Sequence, residues 1–138
     1  MEQVRNVMTQ NPTSCDAATT AVEAAKVMAS EDVGSVPVVK AGRLVGIVTD
    51  RDVVVRVLAE GRDPNSTTIG EIASSDLETV SPDDDLDTAL RKMASSKVRR
   101  LPVVEGDLLV GIVAQADVAR QGDDSETGQV VEEISRQS

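Results

Sequence analysis

A long stretch of this chain occurs twice. Residues 33–53 (VGSVPVVKAGRLVGIVTDRDV) and 98–118 (VRRLPVVEGDLLVGIVAQADV) align without a gap, with Gly46 and Gly111 65 residues apart. Extending the alignment to 7–53 against 72–118 gives 15 identities among 47 positions, including Met28/Met93, Pro37/Pro102, Gly46/Gly111 and Asp52/Asp117. Chance rarely produces that without gaps, so the chain is a duplication. Its 138 residues fit one compact domain or two small fused halves, and a chain of this length buries roughly 70% of its extended-chain surface.

Both copies carry the same order of local signals. Thr20-Ala21-Val22-Glu23 reads as a capping box opening a helix to about Glu31, with Val22, Ala25, Val27 and Met28 as a rough apolar face. Asp85 is the matching N-cap, followed by Leu86, Ala89, Leu90 and Met93. Val36-Pro37-Val38-Val39 and Leu101-Pro102-Val103-Val104 read as strands. Proline there implies a strand start or edge, because it has no N–H for the ladder. Turns at Ala41-Gly42 and Gly106-Asp107 return the chain into Leu44–Val48 and Leu109–Val113, giving a hairpin in each half. Asp50 is expected to cap a second helix, Arg51 to Ala59. Leading strands are expected near Ser14-Cys15 and Glu78-Thr79-Val80, so each half reads as β-α-β-β-α. Gly61–Ser66 is turn-rich and reads as a linker. A short helix is expected near Thr68–Ala73, and Val130, Val131 and Ile134 have the spacing of a short terminal helix.

Composition narrows the chemistry. The chain has no Phe, Tyr, Trp or His and a single cysteine, Cys15. Aliphatic side chains must fill the core, and β-branched ones suit a sheet. A disulfide within the chain, a metal site with a standard Cys/His ligand set and a His-based general base are all excluded. A net charge of −10 opposes binding to nucleic-acid phosphates and to anionic membranes. No apolar run approaches the ~20 residues that span a bilayer. The N-terminus lacks a hydrophobic signal core. A cytoplasmic protein is expected.

The helix, the hydrophobic-Pro-Val-Val strand and the Gly46-Ile47-Val48-Thr49-Asp50-Arg51-Asp52 strand-to-helix junction resemble CBS domains, and two of these in tandem resemble a Bateman module. The resemblance covers about residues 3–121 and is similar to small stand-alone bacterial two-CBS proteins. It implies an α+β (α/β-type) fold of two tandem β-α-β-β-α repeats, related by pseudo-twofold symmetry and packed through their sheets. The expected division is 3–61 for the first repeat, 62–67 for a linker, 68–121 for the second repeat and 122–138 for a C-terminal tail. The resemblance further implies a cleft between the repeats that takes AMP, ADP, ATP or S-adenosylmethionine as a regulatory ligand, with no cofactor required. It also implies pairing of two copies as a homodimer, and regulation of an unidentified protein in trans. No catalytic residue is expected.

The family signature (Gly, two apolar residues, Ser/Thr, two variable residues, Asp) is complete in the first copy. A helix start offers N–H groups and partial positive charge to a phosphate. The Thr49 hydroxyl can donate to a phosphate oxygen, Arg51 adds charge, and the acceptor-only Asp52 carboxylate suits two ribose hydroxyls. Against this stands a plain structural reading, in which Asp52 complements the helix dipole and Thr49 merely ends a strand. The second copy keeps Asp117 but has Ala114 for the hydroxyl and Ala116 for the charge, so weaker phosphate binding, an empty site or a nucleoside is expected there. Arg99 and Arg100 resemble basic residues that the family aims at phosphates, and Arg binds phosphate bidentately; surface pairing with Asp or Glu is the alternative. With no aromatic ring to stack on, an adenine would lie among aliphatic side chains, its edge near the strand backbone at Val36-Pro37 or Leu101. The competing functional reading is a dimeric scaffold with no physiological nucleotide.

Overall fold

The computed structural model describes residues 2–122. The terminal helix expected around Val130, Val131 and Ile134 lies outside them. In chain order the elements are a 3-10 turn at Val4–Asn6, β1 (Thr9–Gln10), β2 (Cys15–Asp16), α1 (Ala21–Glu31), β3 (Ser35–Lys40) and β4 (Arg43–Thr49). These are followed by α2 (Asp50–Val53), which continues as a π-helical turn over Val54–Leu58, then α3 (Ile69–Ile72) and α4 (Leu86–Ser96). Last come β5 (Arg100–Glu105), β6 (Leu108–Ala114) and α5 (Gln115–Gly122). The helices and the hairpins are those the duplication predicts. The leading strands are vestigial: two residues in the first copy and a single bridge, Val80 to Val103, in the second.

The chain divides into two compact units, and these are cut differently from the sequence repeat. One is contiguous, residues 13–77. The described part of the other is split, joining residues 2–12 to 78–122. In the contiguous unit Ile69 N–H donates to the Thr19 carbonyl (2.8 Å), Gly70 N–H to Ala17 (3.0 Å) and Ala21 N–H to Thr67 (2.8 Å). The split unit repeats this 65 residues out of phase: Val4 to Asp84 (2.8 Å), Arg5 to Pro82 (3.1 Å) and Leu86 to Glu2 (3.0 Å). The segment that precedes each copy in sequence is therefore built into the unit holding the other copy's hairpin.

Glycine makes that arrangement possible. Ser74 and Ile47 exchange both backbone hydrogen bonds at 2.9 Å, and a Cβ on Gly46 would lie 2.9 Å from the Ser74 carbonyl oxygen. In the split unit Thr9 pairs with Ile112 and Gln10 with Gly111, and a Cβ on Gly111 would lie 2.7 Å from Met8 Sδ and 3.0 Å from the Thr9 carbonyl oxygen. Any side chain at either position would push the crossing segment away.

Each unit has its own core. Val36, Val38, Val48, Val57, Ile69 and Ile72 centre one, and Leu101, Val103, Val113, Val118, Val4 and Val80 the other. Both hairpins carry a register shift at the same place, between Val38 and Val39 and between Val103 and Val104. Pro37 and Pro102 are buried within the strands, opposite Ile47 and Ile112. Both α1 and α4 end on a left-handed residue, Asp32 (φ 54°) and Lys97 (φ 57°).

The two helices differ in what they bury. The expected apolar face of α4 is all buried: Leu86, Ala89, Leu90 and Met93. On α1 the buried residues are Ala21, Ala24 and Met28, with Val27 only partly covered. The expected face through Val22 and Ala25 is corrected by one residue, because Ala24 rather than Ala25 continues the stripe from Ala21 to Met28. A fully buried Leu or Met contributes roughly 1.5–3 kcal/mol, so α4 is the more firmly anchored helix. Cys15 sits in the contiguous unit's core at 6% exposure, and burial pushes its thiol pKa up.

Candidate functional site

The signature of the first copy lies where β4 runs into α2. Thr49, rather than the expected Asp50, is the N-cap. Its Oγ1 accepts from Asp52 N–H at 3.0 Å, and Asp52 Oδ2 accepts from Thr49 N–H at 2.9 Å, a reciprocal capping box. Thr49 wins because its extended backbone (φ −114°, ψ 162°) places its hydroxyl three residues short of Asp52. Asp50 N–H goes to the Gly34 carbonyl (2.9 Å), and the Asp50 carboxylate accepts from Arg51 N–H (2.8 Å).

This accounting corrects one expectation. The first three N–H groups of α2, those of Asp50, Arg51 and Asp52, all have protein acceptors, so the helix start does not offer them to a phosphate. What the junction keeps is side-chain chemistry. Thr49 Oγ1 accepts one bond and still has its proton to donate. Asp52 has a side-chain exposure of 16%, and its Oδ1 forms an ion pair with Arg56 Nε at 3.7 Å, too long for a hydrogen bond, so it can still accept one. Arg51 is exposed beside it. Arg56, which the sequence reading did not single out, donates to the Ile72 carbonyl (3.2 Å) and sits four residues after Asp52. That i,i+4 spacing was its only sequence signal.

The strand residues expected at the site flank it without offering side-chain polarity. Ser35 pairs with Thr49, and Val36 (2% exposed) and Pro37 are buried opposite Val48 and Ile47.

The other expected site residues belong to the split unit and gather at the equivalent junction of β6 and α5. Arg100 lies opposite Ala114, and the Arg99 carbonyl accepts from Gln115 N–H at 2.8 Å, as Gly34 does for Asp50. Asp117 Oδ2 accepts from Ala114 N–H at 3.2 Å, and its other oxygen is held by Arg120. Ala114 has no hydroxyl to return the bond, so only half of the box exists. Leu101 is buried at 1% exposure. The free strand edge expected beside it is partly used, since Val80 N–H donates to the Pro102 carbonyl (3.1 Å).

The split unit also has an open groove of about 560 Å³ near the hairpin turn, lined by Thr79, Ser81, Asp83, Asp84, Lys92 and Glu105 among others. None of the expected site residues lines it. Three carboxylates against one ammonium is the wrong balance for a phosphate, and Lys92 Nζ already donates to the Thr79 carbonyl at 2.7 Å.

The family follows from a comparison with known proteins. A family model for the CBS domain matches residues 4–59 and again 69–123. The chain belongs to the CBS domain family. CBS domains are regulatory modules, and the match indicates no catalytic family. The CBS domain-containing protein YhcV of Bacillus subtilis is 38% identical over 139 residues, spanning 100% of this chain and 99% of YhcV. Hypoxic response protein 1 of Mycobacterium tuberculosis is 38% identical over 121 residues, 87% of this chain and 85% of that protein. The crystal structure of Hypoxic Response Protein I with two coordinated zinc ions matches with a TM-score of 0.80 over 88% of this chain and 99% of the other. The CBS domain pair of protein MJ0100, in complex with 5′-methylthioadenosine and S-adenosyl-L-methionine, is 29% identical, with a TM-score of 0.73 over 89% of this chain and 97% of that one. The zinc belongs to that relative: this CBS protein has no His, and among the described residues no group of three or more His, Cys, Asp or Glu is placed to hold a metal. No described helix is long and apolar enough to cross a membrane.

Proposed function

We propose that this CBS pair is a non-catalytic regulatory module, working in the cytoplasm as a homodimer, that binds an adenine-type ligand (AMP, ADP, ATP or S-adenosylmethionine) at the Thr49–Asp52 junction. The observation that carries this reading is the capping box itself. It locks both side chains in place, yet leaves one hydroxyl proton and one carboxylate oxygen, ion-paired with Arg56 at 3.7 Å, without a hydrogen bond, a donor and an acceptor side by side. Asp52 takes the ribose hydroxyls. Thr49 and Arg51 take the 5′ substituent, and Val36 and Pro37 supply the aliphatic wall. Arg99, Arg100, Leu101 and Asp117 form the weaker counterpart. The adenosine compounds bound by the MJ0100 pair support the ligand class.

Because the amides of α2 are already bonded and the chain carries ten net negative charges, the junction recognises the nucleoside more than a polyphosphate. S-adenosylmethionine, cationic at its sulfonium, binds at least as tightly as ATP. Isothermal titration of the full chain with AMP, ATP and S-adenosylmethionine tests this. Saturable binding that disappears in Thr49→Ala/Asp52→Ala supports the reading. Silence at millimolar ligand leaves the second reading, a scaffold without a physiological nucleotide, which the half-built Ala114–Asp117 junction favours. A ligand acts on a protein regulated in trans only through its differential affinity for two states of the module.

A further inference from the structure

Beside the Thr49–Asp52 junction stands a charged group that neither the capping box nor the proposed ligand contacts use. Arg56 lies four residues after Asp52 and is held at two points of its own unit. One terminal guanidinium nitrogen donates to the Ile72 carbonyl at 3.2 Å. Ile72 ends α3 and is buried at 1% exposure, so its carbonyl is one of the helix-end acceptors that no later helical amide reaches, and a cation suits that end of a helix. The Nε edge faces Asp52 Oδ1 at 3.7 Å, close enough for charge attraction and too long for a hydrogen bond. A guanidinium is a rigid fork. Fixing one prong on buried main chain fixes where the other stops, and it stops short of the carboxylate.

The duplication provides an internal control. Asp117 is fixed by the same main-chain contact, accepting from Ala114 N–H at 3.2 Å as Asp52 accepts from Thr49 N–H at 2.9 Å. Its arginine is Arg120, three residues on instead of four, and Arg120 hydrogen-bonds Asp117 Oδ1 directly. The backbone beneath the two arginines differs as well. Arg56 sits at the centre of the π-helical turn Val54–Leu58, where Ala59 N–H reaches the Val54 carbonyl at 2.9 Å, whereas Arg120 sits on the α-helix α5. An arginine that reaches the carboxylate uses its second oxygen. One tethered elsewhere balances the charge, keeps the carboxylate turned the same way and leaves that oxygen able to accept from a ligand.

We propose that Arg56 is a positioning residue of the ligand site: anchored on the Ile72 carbonyl, it holds Asp52 with Oδ1 free of a hydrogen bond, so that the ribose hydroxyls can donate to it. This rests on the assignment of Asp52 to the ribose made above. The informative readout is the preference for a ribonucleotide over its deoxy analogue, because losing a surface charge or loosening the helix weakens both alike. In isothermal titration of the full chain with AMP and with 2′-deoxy-AMP, the wild type should favour AMP by about tenfold or more. Arg56→Gln should bring that ratio down to about twofold or less, with an unchanged circular dichroism spectrum. Val55→Arg/Arg56→Val, which moves the arginine to the spacing of Arg120, should weaken AMP binding by about tenfold and abolish the preference. A wild type that binds neither nucleotide, or both equally, overturns the ribose assignment and the role of Arg56 together. A wild-type preference that survives in either variant overturns the role of Arg56 alone. Should the variants unfold, the Arg56 Nε–H nuclear magnetic resonance signal of the wild type decides: a larger displacement by AMP than by 2′-deoxy-AMP supports the proposal, and an equal response overturns it.

Discussion

At Thr49–Asp52 the chain makes two hydrogen bonds where Ala114–Asp117 makes one. The backbones match: Gly34 and Arg99 supply equivalent carbonyls, and both aspartates reach back to the residue that ends the strand. One difference is the hydroxyl of Thr49; another is the residue three after each aspartate, Val55 in the first copy and Arg120 in the second. In the first copy the aspartate is held from two directions and its second oxygen pairs with Arg56 at 3.7 Å, short of a hydrogen bond. In the second copy Arg120 holds that oxygen directly. After a duplication, one copy of a site can lose its chemistry while the turn around it survives, because backbone geometry and core packing do not depend on the hydroxyl.

The largest effect we expect tests whether the crossing segments bear equally on the two units. Gly46→Ala drives a Cβ into the Ser74 carbonyl and the Ala73 side chain, and should cost about 2–3 kcal/mol in denaturant unfolding. Gly111→Ala first meets the flexible Met8 side chain and should cost measurably less. Next comes ligand binding: Asp52→Ala should reduce affinity for S-adenosylmethionine by about tenfold or more, about 1.4 kcal/mol, and Asp117→Ala should leave it within error in the same titration. A smaller effect follows from exchanging the caps. Thr49→Ala should cost about 1 kcal/mol of stability, and Ala114→Thr, by completing the second box, should gain about 0.5 kcal/mol. A loss on Ala114→Thr would show that the second junction cannot close a box even when given the hydroxyl.

The smallest effect is a pH dependence that separates the two long helices. Asp85 caps α4, and the Thr88 N–H, 2.8 Å from Oδ1, holds its carboxyl below its ordinary value of 3.8. Thr20 does the same job for α1 without a charge. A depressed folded value means that the Asp85 contribution is complete above its ordinary value and is lost as pH falls through the depressed one. Asp85→Asn should therefore flatten the acid limb of the stability profile, and Thr20→Ser should not change its shape.

The helices and hairpins were legible in the sequence because they rest on short-range rules: caps at Thr20 and Asp85, turn residues at Ala41-Gly42, apolar runs on either side. The second cap was misplaced by one residue. Asp50 and Thr49 are both good caps on paper, and only the extended backbone at Thr49 decides between them. The apolar face of α1 was misread because alanines at 21, 24, 25 and 29 support neighbouring stripes equally, and Ala21 and Ala24 are the ones that pack. That α2's amides are satisfied was not legible, since the Gly34 carbonyl that takes one of them is sixteen positions away. Nor was the pairing of Ser74 with Ile47 or of Thr9 with Ile112. Two- or three-residue segments carry no periodicity, and Gly46 and Gly111 were the only hint that something passes close by.

The out-of-phase wiring of the two units bears on how the chain folds as it is made. The contiguous unit can form as soon as Leu77 has left the ribosome. The split unit must wait for its far half while residues 2–12 stay unpartnered, because Val4, buried at 0% exposure, has its neighbours beyond residue 79. A truncation after the first repeat would leave that N-terminal segment, Val4 included, stranded, whereas one that keeps residues 13–77 would retain every contact described here for its own core. Synthesis is vectorial and proceeds from the N-terminus, yet residues 2–12, made before the contiguous unit, find their place after it.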